Sequence, residues 1–122
     1  MRKLYLINSP SLLPQSTHLG TLYLRVHDLK TLLPFYTKVL NLSLKSKDEQ
    51  SYVLGTPHHD ILHLTQDKEA TLARNATGLY HFALKYDTEA DFATVVQQLF
   101  KLRIPNSPTD HGYSKSTYLT DP

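Results

Sequence analysis

The sequence predicts an α+β fold made of two βαβββ units in tandem, the second lacking its last strand. Three observations predict it. A strand pattern followed by a helix pattern occurs twice, the two occurrences stand 60 residues apart throughout, and three strand patterns follow the first helix whereas two follow the second. A length of 122 residues suits one domain. Hydrophobic residues make up 40% and charged residues 20%, which excludes a disordered or collagen-like chain.

Residues 1–17 read as an arm, because Pro10 and Pro14 stand among Ser and Asn. A single domain is expected over residues 18–122, with unit one at 18–66, a connector at 67–77 and unit two at 78–122. In unit one, Leu22, Leu24 and Val26 alternate with Thr21, Tyr23 and Arg25, the period of a half-buried strand. Asp28 offers an N-cap to a helix whose apolar residues are Leu29, Leu32, Leu33, Tyr36, Val39 and Leu40. Pro34 fits that helix only if it falls in the first turn, where its missing amide costs no hydrogen bond. Strands follow at Leu42–Lys47, Ser51–Leu54 and Asp60–Thr65, separated by Asp48-Glu49-Gln50 and Gly55-Thr56-Pro57. Ile61, His63 and Thr65 then share one face, and Leu62 and Leu64 can meet the helix.

Unit two repeats the order. Tyr80 to Tyr86 alternates as a strand, with Tyr80, Phe82 and Leu84 on one side and His81, Ala83 and Lys85 on the other. Asp87 or Thr88 caps a helix with the stripe Phe92, Val95, Val96, Leu99, Phe100 and Leu102. Shifting the numbering by 60 places Leu24 on Leu84, Leu32 on Phe92, Phe35 on Val95, Tyr36 on Val96 and Val39 on Leu99, an internal repeat. Two more strands are expected near Thr109–Tyr113 and Ser116–Thr120, and a strand still owed at Asp121-Pro122 leads us to expect a piece of a longer protein.

Composition removes several function classes. The 13 Lys and Arg residues are scattered against 11 Asp and Glu, so no nucleic-acid footprint is expected. Without cysteine there is no disulfide, thiolate metal site or cysteine nucleophile. The longest apolar run near the start is Leu4-Tyr5-Leu6-Ile7, too short for a signal peptide or membrane span. A cytoplasmic protein without a membrane partner is expected. Seven histidines remain as candidate chemistry. His59 and His63 stand four apart, but that spacing unites zinc ligands only on a helix, and Gly55-Thr56-Pro57 argues for a turn and a strand.

The segment Leu19-Gly20-Thr21-Leu22-Tyr23-Leu24-Arg25-Val26-His27-Asp28-Leu29, followed by Phe35-Tyr36 in a duplicated βαβββ frame, resembles the vicinal oxygen chelate superfamily. That superfamily includes glyoxalase I, bleomycin-resistance proteins and extradiol dioxygenases. The resemblance runs from about residue 18 to the end, and implies a curved mixed sheet around a concave site. Gly78-Leu79-Tyr80-His81-Phe82-Ala83-Leu84 and the stretch from Thr109 to Pro122 are similar to the N-terminal part of a catechol-2,3-dioxygenase-type protein. The extradiol signature is matched with one departure, Thr117 where an apolar residue belongs, and its closing Gly and metal-binding Glu do not occur before Pro122.

The resemblance implies ferrous iron in a 2-His-1-carboxylate triad, with one His from the first strand of each unit and a Glu from the last strand of unit two. His81 falls at such a metal-ligand position, while its counterpart in unit one is Thr21, whose hydroxyl is a poor ligand for Fe(II). Fe(II) is therefore implied for the intact enzyme, and this fragment is expected to hold none. His111 and Tyr118 take the positions of residues that hydrogen-bond substrate oxygens. His63 is either the acid–base histidine or a metal ligand, since glyoxalase I ligates from the corresponding strand. The implied substrate is a small aromatic molecule. The function expected is that of an iron-dependent catechol ring-cleaving dioxygenase, inactive as this fragment. The alternatives are a metal-free binding module of the bleomycin-resistance type, lined by Tyr23, Arg25, Lys85 and Tyr118, and a glyoxalase-like metalloenzyme, which Thr21 disfavours. An unpaired sheet edge would suit a homodimer.

Overall fold

The computed structural model describes residues 13–72 and 75–122. Most of the expected arm lies outside the described residues; its last part makes a turn closed by the Thr17 amide on the Pro14 carbonyl at 2.9 Å. Unit one forms as read. β1 (Leu22–Val26) half-buries alternate residues and leads into α1 (Leu29–Pro34), then β2 (Ser43–Lys47), β3 (Ser51–Gly55) and β4 (Asp60–Gln66) follow. These strands make one four-stranded mixed sheet in the order β1-β4-β3-β2. β4 lies parallel to β1, with Leu22 beside Leu62 and Tyr23 beside His63, and antiparallel to β3. The parallel pair needs the crossover that the helix supplies.

Asp28 caps α1 as expected, accepting from the Lys30 amide at 2.9 Å and the Thr31 hydroxyl at 2.7 Å. These bonds hold its carboxyl below the usual carboxylate range, the Thr31 bond most strongly. The Gln66 side chain accepts from the Leu29 amide at 3.2 Å, tying the end of β4 to the helix start. Pro34 corrects the expectation that it lies in the first turn, for it is the last of the six residues of α1. The chain answers by widening into a π-helix over Phe35–Val39, so that the Leu40 amide reaches the Phe35 carbonyl at 3.1 Å. A proline ring collides with the carbonyl four residues back and supplies no amide, so the α-helix ends at Pro34 and the turns that follow it are wider. The Thr37 hydroxyl donates to the Leu33 carbonyl at 2.8 Å, satisfying one acceptor.

Gly55 is required by a close approach: the ladder slips between Leu54 and Gly55, and a Cβ there would strike the His59 carbonyl. The core joins Leu29, Leu32, Phe35, Tyr36 and Val39 of the helical segment to Tyr52, Leu54, Leu62 and Leu64 of the sheet and to Val95 and Leu99.

Unit two keeps the spacing of 60 at its helix. α2 (Glu89–Lys101) begins 60 residues after α1, and Thr88 caps it by accepting from the Asp91 amide at 3.1 Å. Its buried residues are Val95 and Leu99, the counterparts of Phe35 and Val39. Phe100 and Leu102, expected in the stripe, are 66% and 52% exposed, because only one helix face meets the core. The helix ends in a Schellman arrangement, with the Ile104 amide on the Leu99 carbonyl at 2.9 Å and Arg103 at φ 54°.

β5 (Ser107–Asp110) and β6 (Lys115–Tyr118) form a separate antiparallel hairpin. Both begin earlier than expected, because His111–Ser114 makes the turn. The expected strand Tyr80–Tyr86 is corrected in two respects. Its alternation holds from His81 on, with Phe82, Leu84 and Tyr86 half-buried and His81, Ala83 and Lys85 exposed, but Tyr80, expected on the inner side, is 95% exposed, and the segment joins no ladder among the described residues. In unit one the first strand is held by the fourth, and after α2 the chain supplies only two strands among its described residues. The segment is anchored instead by the Tyr86 hydroxyl, which donates to the Leu40 carbonyl at 2.7 Å, and burial raises that phenol's pKa.

Candidate functional site

The alternation of β1 and β4 decides which residues can face a ligand. Leu62 and Leu64 are fully buried on the helix side, so Ile61, His63 and Thr65 turn to the opposite face. The parallel register sets Tyr23 beside His63 and Arg25 beside Thr65 on that face. Tyr23 and His63 stack with ring centroids 4.9 Å apart and planes at 27°, and Tyr23 remains 71% exposed. Arg25 reaches Asp67 at 3.5 Å, which orients the guanidinium at the end of the same face.

His81 stands on the exposed side of its extended segment, away from the helix stripe, as its alternation requires. It meets Tyr80 at 5.3 Å and Tyr118 at 6.4 Å between ring centroids, both edge to face. Two residues singled out in the sequence, His81 and Tyr118, are thus brought together although 37 positions separate them. His111 is placed elsewhere: it sits in the turn between β5 and β6, its amide bonded to the Ser114 carbonyl, and its ring lies against Tyr113 at 6.3 Å.

Thr21, at the position corresponding to His81, donates its hydroxyl to the Asp60 carbonyl at 3.1 Å. It borders a cavity of about 610 Å³ with His18, Lys45, His58, His59 and Asp60, where Lys45 pairs with Asp60 at 2.8 Å. Only its histidines drew notice in the sequence, because the Lys45–Asp60 contact depends on sheet register. Among the described residues, no three His, Asp or Glu side chains converge to hold a metal ion. The donor set present here therefore does not fit ferrous iron.

The family model for the glyoxalase/bleomycin resistance protein/dioxygenase superfamily matches residues 17–122. A catechol-2,3-dioxygenase from Bacillus subtilis (strain 168) is 30% identical over 111 residues, which cover 88% of this chain and 39% of that protein's length. The crystal structure of a lactoylglutathione lyase from Agrobacterium tumefaciens superimposes with a TM-score of 0.67 at 22% identity, over 89% of each chain. A glyoxylase/bleomycin resistance protein/dioxygenase domain from Frankia sp. EAN1pec gives a TM-score of 0.71 at 14% identity, over 86% of this chain and 84% of its own. The unit-one sheet, the repeated strand–helix order and a family match along nearly all of the chain lead to one conclusion: this chain belongs to the glyoxalase/bleomycin resistance protein/dioxygenase superfamily.

Proposed function

We propose that this chain is the N-terminal part of a catechol ring-cleaving dioxygenase, and that its own task is to bind the small aromatic substrate. The observation that carries the reading is the 30% identity to a catechol-2,3-dioxygenase along 88% of the chain. The Tyr23–His63 pair supports it, because an exposed stacked pair offers an aromatic ring both a π-face and an imidazole able to take a phenolic proton. In this reading His63 handles the proton, Tyr118 serves a substrate oxygen, and His81 is the one histidine standing where the family places a metal ligand, while His111 stays apart in the turn with Tyr113. Iron would supply the site at which catecholate and dioxygen meet. The donors among the described residues do not assemble such a site.

The test is a titration of the 122-residue chain with catechol, followed by NMR, with and without ferrous iron under anaerobic conditions. Saturable shifts at Tyr23 and His63 are expected, with Tyr23→Ala weakening binding by roughly 2–10-fold, the worth of one aromatic pair. On admitting air, no yellow ring-cleavage product should form. Absence of catechol binding, or robust ring cleavage by this chain alone, would overturn the reading. A second reading, a metal-free binding module, is favoured by Thr21, whose hydroxyl is already engaged by the Asp60 carbonyl. It is distinguished by a ligand preference that is not catechol: binding of non-catechol aromatic molecules at least as tight as that of catechol favours the binding module, and selective binding of catechol favours the dioxygenase.

A further inference from the structure

The turn between β3 and β4 has a backbone fixed from several sides. Gly55 lets the His59 carbonyl come close, and the Thr56 amide donates to that carbonyl at 2.9 Å. The Thr56 hydroxyl accepts from the His58 and His59 amides at 3.4 and 3.1 Å. These bonds hold the stretch of backbone that carries both imidazoles. Just before β1, Nδ1 of His18 lies 3.0 Å from the Ser16 carbonyl. A carbonyl only accepts, so Nδ1 carries the hydrogen and Nε2 is left for a ligand. All three histidines line the cavity of about 610 Å³ at the end of the sheet where β1 and β4 begin.

Charge decides what such a cavity can take. The Lys45 side chain, from β2, is 28% exposed and pairs with Asp60 at 2.8 Å. Asp60 is the only carboxylate on the lining among the described residues, and Lys45 balances it. Three imidazoles remain, and imidazole gains positive charge as pH falls through the range in which histidine titrates. A metal ion is a poor match, because an ammonium already engages the carboxylate and no three His, Asp or Glu side chains converge. An oxyanion fits, since it accepts from ammonium and imidazole N–H groups alike. The volume is that of a small-molecule pocket rather than of a bare ion. Leu19 and Ile61 add apolar wall beside the charged groups.

From this juxtaposition we propose that the cavity binds a small phosphate monoester. The phosphate lies among Lys45, His18, His58 and His59, and the organic part covers Leu19 and Ile61. The Tyr23–His63 pair is not on this lining, so the site is distinct from the one that takes the aromatic ring. Asp60 opposes the ligand's charge and at the same time holds the Lys45 ammonium at the cavity.

The test titrates the isotopically labelled 122-residue chain with phenyl phosphate at constant ionic strength, following backbone amides and imidazole rings by NMR. It is run at about pH 6.5 and about pH 8.5, where the ester is mainly a dianion because its second pKa is near about 6. Saturable shifts are expected at His18, His58 and His59, with affinity at least about threefold higher at the lower pH. Inorganic sulfate, a dianion throughout, should move the same residues more weakly, because it leaves Leu19 and Ile61 uncovered. Phenol should move none of them. His58→Gln together with His59→Gln should weaken the ester by at least about fivefold. Asp60→Asn removes the opposing carboxylate and should tighten binding roughly 2–5-fold, a gain that damage to the fold would not produce. The proposal is overturned by an absence of these shifts at millimolar phenyl phosphate, or by sulfate or phenol binding there as tightly as the ester. Affinity that does not rise at the lower pH, or Asp60→Asn weakening the complex, would also overturn it. Shifts of the same rings by zinc ion and none by the ester would assign the cavity to a metal instead. Catechol separates this proposal from the dioxygenase reading. Ester binding without catechol binding keeps the proposal and removes that reading, whereas catechol displacing the ester from the cavity overturns the proposal.

Discussion

Removing one oxygen from Tyr36 tests how the end of the chain is held to unit one. Tyr36 is 1% exposed in the core, and its hydroxyl donates to Oδ2 of Asp121 at 2.6 Å, across 85 positions of sequence. Tyr36→Phe keeps the ring and its packing, and deletes a hydrogen bond to a carboxylate. Such a bond contributes about 1.5–3 kcal/mol net, so the variant should lose about 2 kcal/mol, roughly 30-fold in the folding equilibrium. At this size that corresponds to a fall in Tm of about 8 °C. A pH arm separates this bond from simple packing. Burial first, and the Asp121 carboxylate second, raise the Tyr36 pKa well above its ordinary 10.0. The folded state therefore holds this proton more tightly than the unfolded state. The stabilisation is whole below about pH 10 and is lost as pH climbs beyond it. Urea denaturation followed by far-UV circular dichroism should show a constant gap between wild type and Tyr36→Phe from about pH 7 to 9, narrowing above about pH 10. A loss under about 0.5 kcal/mol, below the range of a neutral hydrogen bond, or a gap that does not narrow, would refute the reasoning.

Two further substitutions address the folding of each unit. Leu64→Ala, at a fully buried position on β4, should cost about 2–5 kcal/mol in urea denaturation, and a cost below about 1 kcal/mol would mean that β4 does not sit over the helix. Arg103→Gly should stabilise the chain by about 1 kcal/mol, because Arg103 holds φ 54° at the end of α2, a conformation that costs a residue with a Cβ; an unchanged Tm would refute the Schellman assignment.

The site was only partly legible. His81 and Lys85 could be placed on the outer side of their segment because alternation is a local property, and His63 was set opposite Leu62 and Leu64 by the same rule. That Tyr23 stacks on His63, or that His81 meets Tyr118, depends on which strands become neighbours and in what register. Nor does local pattern reveal that His111 would be kept apart in a turn with Tyr113. Pro34 shows the same limit in the fold: its awkwardness in the helix was foreseeable, but the π-helix over Phe35–Val39 that follows it, with Phe35, Tyr36 and Val39 in the core, was not.

By itself the sequence determined the helices, the cap at Asp28, the choice of Asp87 or Thr88 for the second cap, the strands of unit one and the spacing of 60 between units, because each rests on periodicity and capping within a few residues. Only the tertiary structure decided whether each strand pattern became a paired strand. Leu22–Val26 and Tyr80–Tyr86 carry equivalent alternation, yet the first lies against β4 and the second, among the described residues, against no strand. A helix satisfies its own backbone, whereas a strand needs another strand, and that partner is supplied from far along the chain.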